Sequence, residues 1–136
     1  WNSINKLITQ AIKKGKIEKH GTGEERREYI HVKDAAKISA DILDNKYKNK
    51  TLTITGNQIL DAKQLTKMIF EIAGKKEKII FSGKPSLDDH YFLTPYKHKV
   101  DFNYAKKITS NECIDLGEGL LELISEKMEE LNNIKS

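Results

Sequence analysis

Tyr29-Ile30-His31-Val32-Lys33 sets a phenol four residues ahead of an ammonium. On one helix that spacing brings the two within about 6 Å along the axis. The ammonium then favours the phenolate, which is the requirement for a proton-transfer pair. On a strand the same spacing is about 13 Å, too far for either effect. The residues favour the strand, because Tyr-Ile-His-Val is β-prone and Asp34 is a good N-cap for a helix that starts only there. A hydride-transfer site also needs a glycine-rich dinucleotide turn, and the chain contains no Gly-x-Gly-x-x-Gly. The pair is rejected, and no residue of this chain is assigned a catalytic role. Asp88-Asp89-His90 offers paired carboxylates beside an imidazole, a combination suited to a metal or to acid–base work. No Cys/His cluster has zinc-ligand spacing, and the lone Cys113 excludes an internal disulfide.

The elements that must position these groups follow from period and punctuation. Ile4, Leu7, Ile8, Ala11 and Ile12 repeat at helical spacing, with Gly15 to stop the helix and Lys13, Lys14 and Lys16 at its negative end. Two short strands are predicted near 16–20 and 27–32, separated by Gly21-Thr22-Gly23-Glu24. A helix from Asp34 to about Leu43 carries Ala35, Ile38 and Ile42 on one stripe, and Thr51–Thr55 alternates as a half-buried strand before the Gly56-Asn57 turn. Asp61 and Gln64 have capping-box spacing, Leu60 can staple onto Leu65, and Gly74 ends that helix. A strand near 78–81 follows. The stretch from Ser82 to about Asp101 has no period and holds both prolines; irregular runs of roughly twenty residues in a compact domain are usually functional or disordered. A short helix is predicted over Phe102–Ile108. The last begins at Asp115, with Leu121, Ile124, Met128 and Leu131 on its stripe. This order predicts an α/β fold: a small mixed sheet with flanking helices.

The 136 residues fit one domain, 1–136, large enough to bury roughly two thirds of its unfolded surface without disulfides or metals. No apolar run spans a bilayer and no signal peptide precedes the first helix, so a soluble cytoplasmic protein is expected. Trp1 at the start, directly before an amphipathic helix, is what an excised piece of a longer protein would show. A net charge of +4 raises nucleic acid as a partner. The lysines are scattered through almost every segment, and solvated lysine faces explain the charge more simply than nucleic acid does.

Gly21-Thr22-Gly23 followed by Arg27-Glu28-Tyr29-Ile30-His31-Val32-x-Asp34-Ala35-Ala36 resembles a signature in the second half of the NAD-dependent epimerase/dehydratase family, the extended short-chain dehydrogenases that rework nucleotide sugars. The opening helix, the Thr51–Gly74 stretch and Lys84-Pro85 resemble that family in the same order. The resemblance implies the C-terminal, substrate-binding lobe of an extended short-chain dehydrogenase. The Rossmann half, with its catalytic Ser/Thr, Tyr and Lys, is absent. It implies an epimerase, dehydratase or reductase using NAD or NADP in the full-length enzyme, a nucleotide-diphosphate sugar as ligand, and a fragment inactive by itself. A non-catalytic nucleotide- or protein-binding module is the alternative.

By the same resemblance Arg27 binds the diphosphate, and a guanidinium suits that task as a rigid fork of donors charged at any working pH. An ion pair with Glu24, Glu25 or Asp34 is the other reading, and Arg26 is the working residue if the register is off by one. His20 falls where relatives carry an aromatic beside the nucleotide base. Lys84 adds a second phosphate contact where many relatives have Arg. Tyr91 and Tyr96 lie in a loop that in the family lines the sugar pocket. His31 is read as structural, on a packed strand, and Asp34 as the helix cap.

Overall fold

The structure is a computed structural model and describes residues 3–83, 105–109 and 112–133. The first helix, α1 (Ser3–Lys14), turns Leu7, Ile8 and Ala11 inward and ends at Gly15, whose φ of 62° is the left-handed conformation glycine adopts at no steric cost. Strand β1 (Ile17–Lys19) follows, then β2 (Arg26–Tyr29), α2 (Val32–Asp41), a 3-10 turn (Asn45–Tyr47), β3 (Thr51–Ile54) and β4 (Gln58–Asp61). Helix α3 (Ala62–Ile72), β5 (Ile79–Phe81), β6 (Ala105–Ile108) and α4 (Leu116–Asn133) complete the order.

Among the described residues the strands form three pairs. β1 runs parallel to β5, with Ile17 opposite Ile79 and Lys19 opposite Phe81. β2 runs antiparallel to β4, with Arg27 opposite Leu60. β3 runs parallel to β6, with Thr51 opposite Ala105. The core lies where α1, α3 and α4 meet the β1–β5 pair. Ile8, Ile17, Ile69, Phe70, Leu120 and Ile124 are its largest fully buried apolar side chains. The expected capping box starts α3: the Asp61 carboxylate accepts from Gln64 N at 2.7 Å, and the Gln64 amide oxygen accepts from Asp61 N at 3.0 Å.

Four expectations are corrected. Helix α2 starts at Val32, and its cap is His31, whose Nδ1 accepts from Lys33 N at 3.2 Å. Asp34 is therefore not the cap. It lies in the first turn, buried, where its carboxylate accepts from Ile114 N at 2.9 Å. His31 is structural, as a cap rather than as a packed strand residue. The short helix expected at the end of Phe102–Ile108 is instead strand β6 over Ala105–Ile108, because β3 supplies ladder partners that helix propensity cannot outweigh. On α4 the inward stripe runs through Leu120 and Ile124, while Leu121 is 55% exposed. Strand β4 has no counterpart in the sequence reading; it contains Leu60, the expected staple residue.

Candidate functional site

β1 and β5 are parallel, so their carboxyl ends open at one edge, the place where ligands of open α/β sheets bind. His20 follows β1 there and Ser82 follows β5. His20 Nδ1 lies 3.4 Å from Ser82 Oγ, and both line an open depression of 390 Å³ with Gln10 and Lys14. Backbone hydrogen bonds lock the two ends together, Ser82 N donating to Lys19 O at 3.1 Å and Gly83 N to Gly21 O at 3.0 Å. Lys84 comes immediately after Gly83. Lys84, Tyr91, Tyr96 and the Asp88-Asp89-His90 group all fall outside the described residues.

The Gly21–Glu25 loop joins this edge to Arg27. Gly21 and Gly23 have φ of 106° and 86°, which side-chain-bearing residues rarely adopt. A Cβ on Gly21 would strike the Glu25 carboxylate, and one on Gly23 would lie 2.8 Å from Phe81 Cζ. Glu25 itself is only 5% exposed. Its Oε1 accepts from Thr22 N at 2.6 Å and its Oε2 from Gly23 N at 2.9 Å. Burial pushes this carboxyl upward, but the N–H groups of Thr22, Glu25 and Gly23 and the nearby Lys19 charge outweigh it and hold it below the usual range. The main chain of the loop also anchors α3: Glu25 O accepts from Ala62 N at 3.1 Å and Gly23 O from Lys63 N at 2.9 Å.

Arg27 is half-buried in the middle of β2, and strand alternation puts it on the face of Tyr29, which packs against the core. Arg26 is exposed and shares the opposite face with Glu28, which pairs with Lys107 at 2.7 Å. Of the acids offered as partners for Arg27, Glu24 reaches Lys63 at 3.4 Å, Glu25 holds its own turn, and Asp34 holds Ile114 N. Tyr29 and Lys33 lie in different elements, β2 and α2, so the proton-transfer spacing has no helix to act on. Lys33 Nζ is instead 3.3 Å from Glu122.

A second constellation went unread in the sequence. Residues 112–122 are stitched to the start of α2 and to β4. Asp34 holds Ile114 N, Gln58 Nε2 donates to Asp115 at 2.6 Å, and Gln58 Oε1 accepts from Leu116 N at 2.8 Å. The Gln58 amide and the N–H of Gly117 hold the Asp115 carboxyl below the ordinary range. Beside these clasps lies a groove of 380 Å³ bordered by Tyr29, His31, Lys33, Gln58 and Glu122. No local sequence signal marks such long-range clasps, since their partners are more than fifty residues apart. Asp34→Ala is expected to cost about 1–3 kcal/mol by leaving Ile114 N unpaired, measured as a lower urea midpoint.

The N–H groups of Thr22 and Gly23, which a Gly-x-Gly turn would offer a pyrophosphate, already bind Glu25. Among the described residues no three His, Cys, Asp or Glu side chains are placed to hold a metal, and no helix is long and apolar enough to cross a membrane.

Residues 2–55 match the family model described as the NAD dependent epimerase/dehydratase family. No curated protein matches the chain. Solved structures share its fold. The UDP-glucose 4-epimerase of Thermotoga maritima, solved with UDP-glucose, superposes with a TM-score of 0.65 at 19% identity, over 96% of this chain and 40% of that one. The dTDP-glucose 4,6-dehydratase of Bacillus anthracis, in complex with NAD, gives 0.60 at 24%, over 95% and 40%. A GDP-L-fucose synthetase from Naegleria fowleri bound to NADP gives 0.62 at 14%, over 95% and 38%. The chain thus spans about two fifths of the length of these enzymes.

Proposed function

We propose, from the match of residues 2–55 to the NAD dependent epimerase/dehydratase family model, that this chain is the substrate-binding lobe of a nucleotide-sugar-modifying enzyme. The observation that carries the reading is that His20 and Ser82 meet at the carboxyl ends of a parallel strand pair, with the chain running on from His20 through a glycine turn to Arg27 on β2. Arg27 binds the diphosphate by charge-assisted, bidentate hydrogen bonds, and His20 lies against the base. Lys84, Tyr91 and Tyr96 follow Gly83 in the chain and complete the phosphate and sugar contacts. Such remote contacts hold the sugar in place while the chemistry proceeds on groups this chain does not contain. NAD or NADP belongs to that other part, and the chain alone is inactive.

Isothermal titration with UDP-glucose tests the reading. The chain binds weakly, because part of the pocket lies elsewhere, and Arg27→Ala weakens that binding by about tenfold or more. Tight binding that survives Arg27→Ala would remove the phosphate role. Steeply salt-dependent binding to random DNA would move the function to nucleic acid.

A further inference from the structure

The geometry points to Glu25 as the positioning residue of the phosphate site: its carboxylate fills the Gly21-Thr22-Gly23 turn from within, which closes the turn to a ligand anion and fixes the chain path that carries His20 and Arg27. The inference takes its ligand from the nucleotide-sugar reading and nothing else.

The turn is built as an anion cradle. Two residues with positive φ flank Thr22, and the successive N–H groups of Thr22 and Gly23 converge on one point. That point is occupied by the chain's own carboxylate. Its two oxygens take one N–H each, at 2.6 and 2.9 Å, and the Thr22 hydroxyl lies 3.4 Å from the first. Glu25 is buried, and its carboxylate already takes the N–H groups of Thr22 and Gly23, so neither donor is left for a ligand phosphate. A free anion at the turn would have to displace a tethered one, which is held at far higher effective concentration.

Glu25 is also two residues before Arg27, and its carbonyl holds the first residue of α3. Closing the turn on Glu25 therefore sets three things together: the exit of β1 at His20, the entry of β2 at Arg26 just ahead of Arg27, and the anchoring of the loop on α3. A guanidinium placed by so constrained a loop loses less freedom when it meets a phosphate, so the carboxylate acts on affinity through pre-organisation.

Heteronuclear NMR on the chain separates this from a purely structural role, with UDP-glucose, inorganic phosphate and formate as probes. In the unsubstituted chain, phosphate moves the Arg27 side-chain signal and leaves the Thr22 and Gly23 amides in place. In Glu25→Ala those amides shift, the His20 and Arg27 side-chain signals shift with them, and UDP-glucose affinity falls about tenfold. Added formate enters the emptied turn, returns all four signals saturably toward their original positions, and restores part of the affinity. Asp34→Ala, which opens the other clasp, leaves the four signals where they were. Glu25→Gln keeps the volume but presents an amide N–H₂ to one of the two donors. It shifts the His20 and Arg27 signals without a response to formate, and it carries the test if the alanine variant fails to fold. His20 and Arg27 signals unmoved by either substitution overturn the proposal. So does a phosphate-induced shift of the Thr22 and Gly23 amides in the unsubstituted chain. If UDP-glucose binds no form of the chain while the formate-reversible shifts occur, the positioning role stands and the nucleotide-sugar reading fails.

Discussion

Gly56→Ala is expected to destabilise the chain by about 3 kcal/mol or more, the upper range for forcing atoms into packed structure. A Cβ at Gly56 would overlap the carbonyl oxygen of Tyr29, and it would also lie 3.0 Å from Ile30 N. Both obstacles are backbone, so no rotamer change relieves them, and either the β3–β4 turn or the end of β2 must move. β2 is paired with β4 from Arg26–Asp61 to Tyr29–Gln58, so a shift at that end propagates toward Arg27. Urea unfolding followed by circular dichroism reads the loss as a lower midpoint. A cost below about 1 kcal/mol, the scale of tolerated core swaps, contradicts this close approach. Glycine here answers to space alone, since its φ is not positive, unlike those at 21 and 23.

Acid should unfold the chain earlier than it unfolds Glu25→Gln relative to each protein's own neutral stability. The folded carboxyl titrates below its ordinary value of 4.5, held there by three backbone N–H groups and Lys19 against the opposing effect of burial. A depressed folded value means that the unfolded chain takes up the proton first. The stabilisation is therefore complete above the ordinary value, decreases as pH falls below it, and is gone once pH has passed the folded value. Protonation leaves one oxygen as a donor facing an N–H, so the turn loses an acceptor as well as a charge. Melting temperatures measured from neutrality down to about pH 3 should fall more steeply for the unsubstituted chain than for Glu25→Gln. Parallel curves would mean that Glu25 contributes nothing specific to acid sensitivity. Lys63 does not interfere with the comparison, because its ammonium reaches Glu24 and only its aliphatic stem packs on Gly23.

The sequence carried α1 and α3 with their limits because those signals are local. The stripe of α1, the Asp61–Gln64 box and the glycines after α1 and α3 involve residues within a few positions of one another, where period and capping chemistry act. Where two local signals competed, the pattern could not choose. His31 and Asp34 both suit an N-cap, and Asp34 was removed from the role by a partner, Ile114, eighty positions away. Leu120 and Leu121 both suit an inward stripe, and packing against α1 and α3 selected Leu120. β4 and β6 exist because β2 and β3 offer them ladders, and those partners lie far along the chain.

The same division runs through the candidate site. The residues from Arg27 to Ala36 and the glycines at 21 and 23 determined by themselves the family resemblance and the choice of Arg27, because a motif is read along the chain. That His20 meets Ser82 was decided by the tertiary structure, since β1 and β5 are sixty-two positions apart and only their parallel pairing joins their ends. Glu25 reads in the sequence as one acid among many in a turn. Its burial, and its two N–H partners across a turn that only glycine can make, are consequences of the fold closing over it.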